Sequence, residues 1–206
     1  LQLLRNDVKP LQLDDKLYTA QALMDDYKVS HVPVFDGELY AGLLSEGDVL
    51  DAPDDDAPIS VAQDKLVRAF VSAEKHVFEA INAIHNYNVS MLPVLDADEH
   101  YMGYLYPLDL VKMMGGMLSS KVPGAVLVLE MNQNDYHLSQ IAQIVEGNDG
   151  KILAFYITSK PNSAILELTL RINRTDLTAI IQTFQRYEYN IKASYHESEY
   201  AVDMKA

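Results

Sequence analysis

Apolar residues recur at helical spacing in Leu17, Ala20, Leu23, Met24 and Tyr27, and a matching stripe returns in Val77, Ala80, Ile81, Ile84 and Tyr87. Each stripe leads into a short apolar run, Val32-Pro33-Val34-Phe35 and then Leu92-Pro93-Val94-Leu95. Asp36-Gly37 is a turn signal, Leu39 to Leu44 reads as a second strand, and Ser45 opens another helix. Each block therefore reads helix, strand, turn, strand, helix. Pro33 has no amide hydrogen to donate, which predicts that its strand is an edge or lies where the ladder is incomplete.

The two blocks are copies. Tyr27 to Asp36 aligns with Tyr87 to Asp96 at an offset of 60, with six identities in ten positions. After a one-residue insertion the match continues through Tyr40 with Tyr101, Gly42 with Gly103, Leu44 with Leu105 and Asp48 with Asp109. An internal repeat dictates the fold of everything around it. Asp51-Ala52-Pro53-Asp54-Asp55-Asp56-Ala57-Pro58 separates the copies and reads as a solvated acidic linker rather than a metal site.

From Gly115 to Gly124 a second join ends the last helix of the second copy, and the periodicity changes. Strands are predicted at Ala125 to Met131, Ile152 to Thr158, Ile165 to Ile172 and Ile191 to Tyr195. Between them lie one helix face of Leu138, Ile141, Ala142, Ile144 and Val145, closed by Gly147, and another of Leu177, Ile180, Ile181 and Phe184 with Thr175 as its cap. The order β-α-β-β-α-β is that of a ferredoxin-like split unit.

Composition narrows the function. The 206 residues are 49% hydrophobic, enough for a real core, yet no apolar run is long enough to span a bilayer and no signal-peptide order stands at the start. We expect a soluble, cytoplasmic protein with no membrane partner. Absence of cysteine removes disulfides, thiolate catalysis and the common structural zinc sites. The net charge of −14 argues against a nucleic-acid partner, which would need clustered Lys and Arg. Residues 1–123 hold 20 of the 30 acidic residues, which sets them apart from the remainder as a different domain. The histidines His31, His76, His85, His100, His137 and His196 show no metal-ligand spacing, and neither a nucleophile elbow nor a Walker-type glycine loop exists. The inventory predicts no enzyme, no catalytic residue, no metal and no required cofactor.

The stretches Val29-Ser30-x-x-Pro33-Val34 and Gly42-Leu43-Leu44-Ser45-x-x-Asp48, with their copies in the second block, resemble a tandem pair of cystathionine-β-synthase (CBS) domains, a Bateman module. Residues 124–206 resemble an ACT domain, and the arrangement is similar to CBS-ACT proteins of the acetoin-utilisation type. The resemblance implies an α+β fold: CBS repeats of β-α-β-β-α order at residues 1–57 and 58–116, packed as a pseudo-two-fold pair, then a ferredoxin-like βαββαβ ACT domain at 124–206. It also implies a regulatory protein that binds AMP, ATP, S-adenosylmethionine or a related adenosine-type ligand between the repeats, forms a homodimer and acts on a regulated protein that the sequence does not name.

Carried over onto the first copy, the resemblance gives Ser45 to a ligand phosphate and Asp48 to the ribose hydroxyls, with Gly42, Pro33, Val34, His31 and Lys9 around them. A hydroxyl at a helix start and an ionised carboxylate suit those tasks. The same Ser45-Glu46-Gly47-Asp48 also reads as a capping box, which stabilises helices that bind nothing, and His31 equally reads as a structural histidine. In the second copy Asp109, Tyr106, Pro93 and Arg68 are the counterparts, but Tyr106 stands where a small hydroxyl residue belongs: it could fill the cleft or stack on adenine. Pro107 suits a first helical position. Lys9 and Arg68 are the basic candidates beside the clefts, so charge favours AMP, adenosine or cationic S-adenosylmethionine over metal-free ATP. In the ACT-like part, Asp135 and Tyr136 occupy the positions of the Pro-Gly pair of amino-acid-binding members, which points to dimerisation or partner binding. The competing reading of the whole chain is a constitutive dimerisation or scaffold module with degenerate pockets.

Overall fold

The computed structural model describes residues 3–118 and 121–196. The chain divides into two units, Leu1–Lys112 and Met113–Ala206.

In the first unit the repeat is plain in the element order. β1 (Leu11–Gln12), α1 (Leu17–Tyr27), β2 (His31–Asp36), β3 (Leu39–Ser45) and α2 (Glu46–Leu50) are followed by β4 (Val71–Ser72), α3 (Val77–Tyr87), β5 (Leu92–Leu95), β6 (Tyr101–Leu105) and α4 (Pro107–Met117). Each copy forms a three-stranded sheet, β1-β2-β3 or β4-β5-β6, whose first strand runs parallel and whose last runs antiparallel to the middle one. Local detail repeats as well. α1 and α3 both end on a left-handed residue, Lys28 or Asn88, and the ladder shifts between Val34 and Phe35 as it does between Val94 and Leu95.

Four expectations are refined by the structure. β2 and β5, which carry Pro33 and Pro93, are middle strands, so of the two alternatives it is the incomplete ladder and not the edge that holds. Proline is tolerated there because the parallel pairing begins one residue later, at Val34 and Val94. The acidic segment before Pro58 exposes its aspartates, as a solvated linker would, and is also bonded: the Ala57 and Asp55 carbonyls accept the amides of Leu17 and Tyr18 at 3.0 and 2.9 Å. They supply partners to the first turn of α1, whose N-cap residue Lys16 makes no side-chain bond. α4 runs through Gly115 and Gly116 to Met117 rather than ending at the glycines. Finally, the α3 stripe is shorter than predicted, since Tyr87 is half exposed.

Inside this unit Leu17, Ala20 and Met24 of α1 pack with Val32, Val34 and Leu44 of the first sheet. Met91 and Tyr104 of the second copy join the same cluster, so the repeats share one core.

The second unit contains β7 (Ala125–Asn132), α5 (Leu138–Glu146), β8 (Ile152–Ser159), β9 (Ile165–Ile172), α6 (Thr178–Arg186) and β10 (Asn190–Tyr195). Its strands form one antiparallel sheet in the order β10-β7-β9-β8. Alternation along β7 and β9 buries Leu127, Leu129, Leu168 and Leu170 against Ile141, Ile144, Ile180 and Phe184 of the helices. The α6 start differs from expectation: the Thr178 amide donates to Asp176 Oδ1 at 2.9 Å, so Asp176 does the capping assigned above to Thr175. The Asp176 carboxyl is held below the usual carboxylate range first by the Thr178 hydroxyl and then by that amide. Among the described residues no helix is long and apolar enough to cross a membrane.

Candidate functional site

The two repeats of the first unit are joined by an exchange. The segment leading into each copy crosses the sheet of the other. Val67, before the second copy, exchanges backbone bonds of 3.0 and 2.8 Å with Leu43 of β3; Arg5, before the first, exchanges 3.0 and 2.8 Å bonds with Tyr104 of β6. Gly42 and Gly103 make the crossings possible, at φ of 153° and 143°. A Cβ on Gly103 would lie 2.1 Å from the Arg5 carbonyl oxygen, and one on Gly42 would lie 2.9 Å from Leu66 Cβ. Two tyrosines fasten the same crossings: the Tyr40 hydroxyl donates to the Ala69 carbonyl at 2.8 Å and the Tyr101 hydroxyl to the Val8 carbonyl at 3.3 Å. Burial pushes both phenols above their usual range, so both remain donors. Each contact occurs twice with the copies interchanged, as a two-fold relation requires.

His31 lies where the copies meet. The Ser30 amide donates to Ser90 Oγ at 2.9 Å, and the Ser90 amide donates to His31 Nδ1 at 3.3 Å. A ring nitrogen that accepts an amide proton is unprotonated, so the neutral ring carries its hydrogen on Nε2. Desolvation lowers the His31 pKa, against a smaller opposing pull from Asp48. His31 is thus a tie between the repeats, and its counterpart Met91 is fully buried.

At the end of β3, Ser45 begins α2 and its Oγ accepts the Asp48 amide at 3.1 Å. The same hydroxyl donates to Asp48 Oδ2 at 2.5 Å, and Lys65 Nζ approaches Asp48 Oδ1 at 3.8 Å. Only half of a capping box is made, because the carboxylate takes the Ser45 hydroxyl proton. A hydroxyl, a carboxylate and an ammonium therefore converge. The remaining first-copy residues are placed differently. Pro33 and Val34 are buried within β2, Gly42 serves the crossing, and Lys9 is exposed.

The counterpart site is furnished otherwise. Pro107 is the first residue of α4, as its lack of an amide hydrogen suits, and Pro93 is buried in β5. Asp109 binds Arg5 twice, from Nε at 2.9 Å and from Nη2 at 2.7 Å, and Lys112 reaches its other oxygen at 3.4 Å. The Arg5 guanidinium holds the Asp109 carboxyl below its ordinary range. That guanidinium also lies over the Tyr106 ring, 4.8 Å from the centroid, and Tyr106 stands edge-on to Tyr104 at 4.9 Å. Arg68 is not brought to Asp109. It pairs with Glu99 at 2.5 Å, in the turn at the far end of β6. Arg5 and Lys65 were missed by the sequence reading, and they are not repeat counterparts, since the crossing matches Arg5 with Val67.

The CBS domain model matches residues 2–55 and again 56–116, more than half of the chain. The chain belongs to the CBS-domain family. Among solved structures, a CBS domain pair/ACT domain protein from Thermotoga maritima superposes on this CBS pair protein with a TM-score of 0.51 at 19% identity, covering 57% of this chain and 96% of that one. That likeness speaks to the CBS-pair fold. CBSX2 in complex with AMP matches at 19% identity and a TM-score of 0.46, over 55% of this chain and 93% of its own. The cytosolic domain of the Mg²⁺ channel MgtE in complex with ATP matches at 15% and 0.45, over 54% and 46%.

Two other groups complete the survey of the CBS pair and its companion unit. Asp96, Asp98 and His100 lie within 4.8 Å of one another in the β5–β6 turn, but Asp96 Oδ1 is occupied by the Asp98 and His100 amides at 2.9 and 2.8 Å. Those bonds, the His100 amide first, keep the Asp96 carboxyl below its usual range. In the second unit Asp135 ends a short 3-10 turn, and Tyr136 packs against the core rather than opening a pocket.

Proposed function

We propose that this CBS pair is a non-catalytic sensor of an adenosine-type ligand, AMP, ATP or S-adenosylmethionine, held at the first cleft by Ser45 and Asp48. The observation that carries the reading is the convergence of the Ser45 hydroxyl, the Asp48 carboxylate and Lys65 at the end of β3. A carboxylate already receiving a hydroxyl proton is suited to accept two from a ribose, and a lysine beside it answers the phosphate that follows. Lys65 takes over the role that the sequence gave to Lys9. We assign the repeats to residues 1–57 and 58–116 and an ACT-like domain to 124–206, in a cytoplasmic homodimer of the acetoin-utilisation type. The antiparallel β-α-β-β-α-β unit supports the ACT-like assignment. Ligand binding regulates only if it favours one conformation of the pair, which the ACT-like domain then passes to a partner protein.

The rival, a constitutive dimerisation scaffold, draws on the second cleft, where protein groups fill the positions a ligand would use. A thermal-shift series with AMP, ATP and S-adenosylmethionine separates the two. A ligand that binds only the folded chain raises the melting temperature. With Lys65 the one cation paired with Asp48 among the described residues, AMP is expected to outperform metal-free ATP at low salt, and no rise with any ligand leaves the scaffold reading standing.

A further inference from the structure

Each repeat places a basic residue on the conserved-position acid of the other side of the exchange, Lys65 on Asp48 and Arg5 on Asp109, yet the two pairs are not equivalent. Lys65 touches its carboxylate at 3.8 Å and finds Ser45 beside it. Arg5 contacts Asp109 through two nitrogens and covers the face of Tyr106. Its backbone is bonded on both sides to Tyr104 in an isolated bridge, which starts its side chain beside this site. The Asp109 side chain is 12% exposed and that of Arg5 45% exposed, so the carboxylate is the shielded member of the pair.

We propose that Arg5 is a tethered occupant of the second cleft: its planar cation takes up the carboxylate and the aromatic face that an adenosine ligand would need, leaving one open adenosine site per chain. The inference rests on the assignment of Asp109 and Tyr106 to a cleft equivalent to that of Ser45 and Asp48. Ribose hydroxyls are neutral donors, and they compete poorly with a guanidinium that stays charged at any ordinary pH and sets both Nε and Nη2 on one carboxylate oxygen, Oδ2. Adenine would likewise have to displace a cation from Tyr106. The residue that decides how many ligands the pair accepts is therefore outside both motifs, in the segment leading into the first repeat.

Titration calorimetry with AMP on the full chain tests this. The unaltered protein is expected to bind one AMP and Arg5→Gln two, with Asp109→Ala in the Arg5→Gln background removing the added site and Asp48→Ala removing the original one. The backbone bonds to Tyr104 do not depend on the side chain, so Arg5→Gln should keep the crossing. Arg5→Lys, which retains charge without the fork, provides a second variant expected to admit the second AMP more weakly. If neither variant binds more AMP than the unaltered chain, the proposal is overturned, whatever the first cleft does. If the unaltered chain binds none while Arg5→Gln binds one, the sensor reading of the first cleft fails and the occupant reading stands.

Discussion

The two clefts descend from one repeated pattern and differ in how their carboxylates are used. Asp48 is held by a serine hydroxyl and a distant lysine; Asp109 is held by a forked guanidinium laid over an aromatic ring. One substitution, Tyr106 in place of a small hydroxyl residue, creates the platform for Arg5, and the stronger cation completes it. The backbone frame is the same in both copies, down to the shifted ladder and the crossing glycines, while the side chains around Asp48 and Asp109 differ. Frame and chemistry are separable layers of this architecture.

The comparison breaks most visibly at the glycines. Gly103→Ala would drive a Cβ to 2.1 Å from a backbone oxygen that has nowhere to go, at a φ that side chains disfavour. A loss of about 3 kcal/mol or more in urea unfolding is expected. Gly42→Ala meets Leu66 Cβ at 2.9 Å and the Val67 carbonyl oxygen at 3.1 Å, a less severe approach than 2.1 Å, and should cost roughly 1–3 kcal/mol. Equal costs would mean that the different clearances at the two glycines do not matter. At the level of ligands, Asp48→Ala should weaken AMP binding about 10- to 100-fold, the worth of a charged hydrogen bond, whereas Asp109→Ala should change it less than about 2-fold. Calorimetry showing comparable losses would erase the distinction between the clefts.

The smallest effect concerns the seam between the copies. The folded pKa of His31 lies below its unfolded value, so the neutral ring contributes stability that is fully present above about pH 6.5 and disappears as pH falls through the folded value. Protonating Nδ1 would turn the acceptor of the Ser90 amide into a second donor. The melting temperature should therefore fall on acidification, and His31→Gln should flatten the part of that slope due to this residue. An NMR titration placing His31 above the exposed histidines would contradict the assignment.

Much of this was legible in the chain. The repeat offset placed β2, β3, β5 and β6, because strand pairing and turn signals survived in both copies. The two-residue strands β1 and β4 were not readable from periodicity, since two residues have no period; the family resemblance supplied them. For Pro33 the chain left an edge and an incomplete ladder open, and the two-residue β1, which pairs only from Val34, decides for the incomplete ladder. For the site, Ser45 and Asp48 stood in a recognisable motif, whereas Arg5 and Lys65 act across the exchange, where local spacing carries no signal. Repeat spacing would not have paired them either, because the crossing matches Arg5 with Val67 and not with Lys65.

The exchange of leading segments also governs how the chain must assemble. Arg5 meets Asp109 across 104 residues, Asp7 meets Tyr104 across 97 and Val8 meets Tyr101 across 93, so neither repeat can finish itself from local sequence. Loop-closure entropy rises only logarithmically with such spans, which leaves equilibrium stability little affected. The rate is another matter, because contacts so remote in sequence form only after the intervening elements are already in order. The segment from Arg5 to Val8 is thus seated only once the second repeat has its shape, and it closes the pair like a latch drawn from far along the chain.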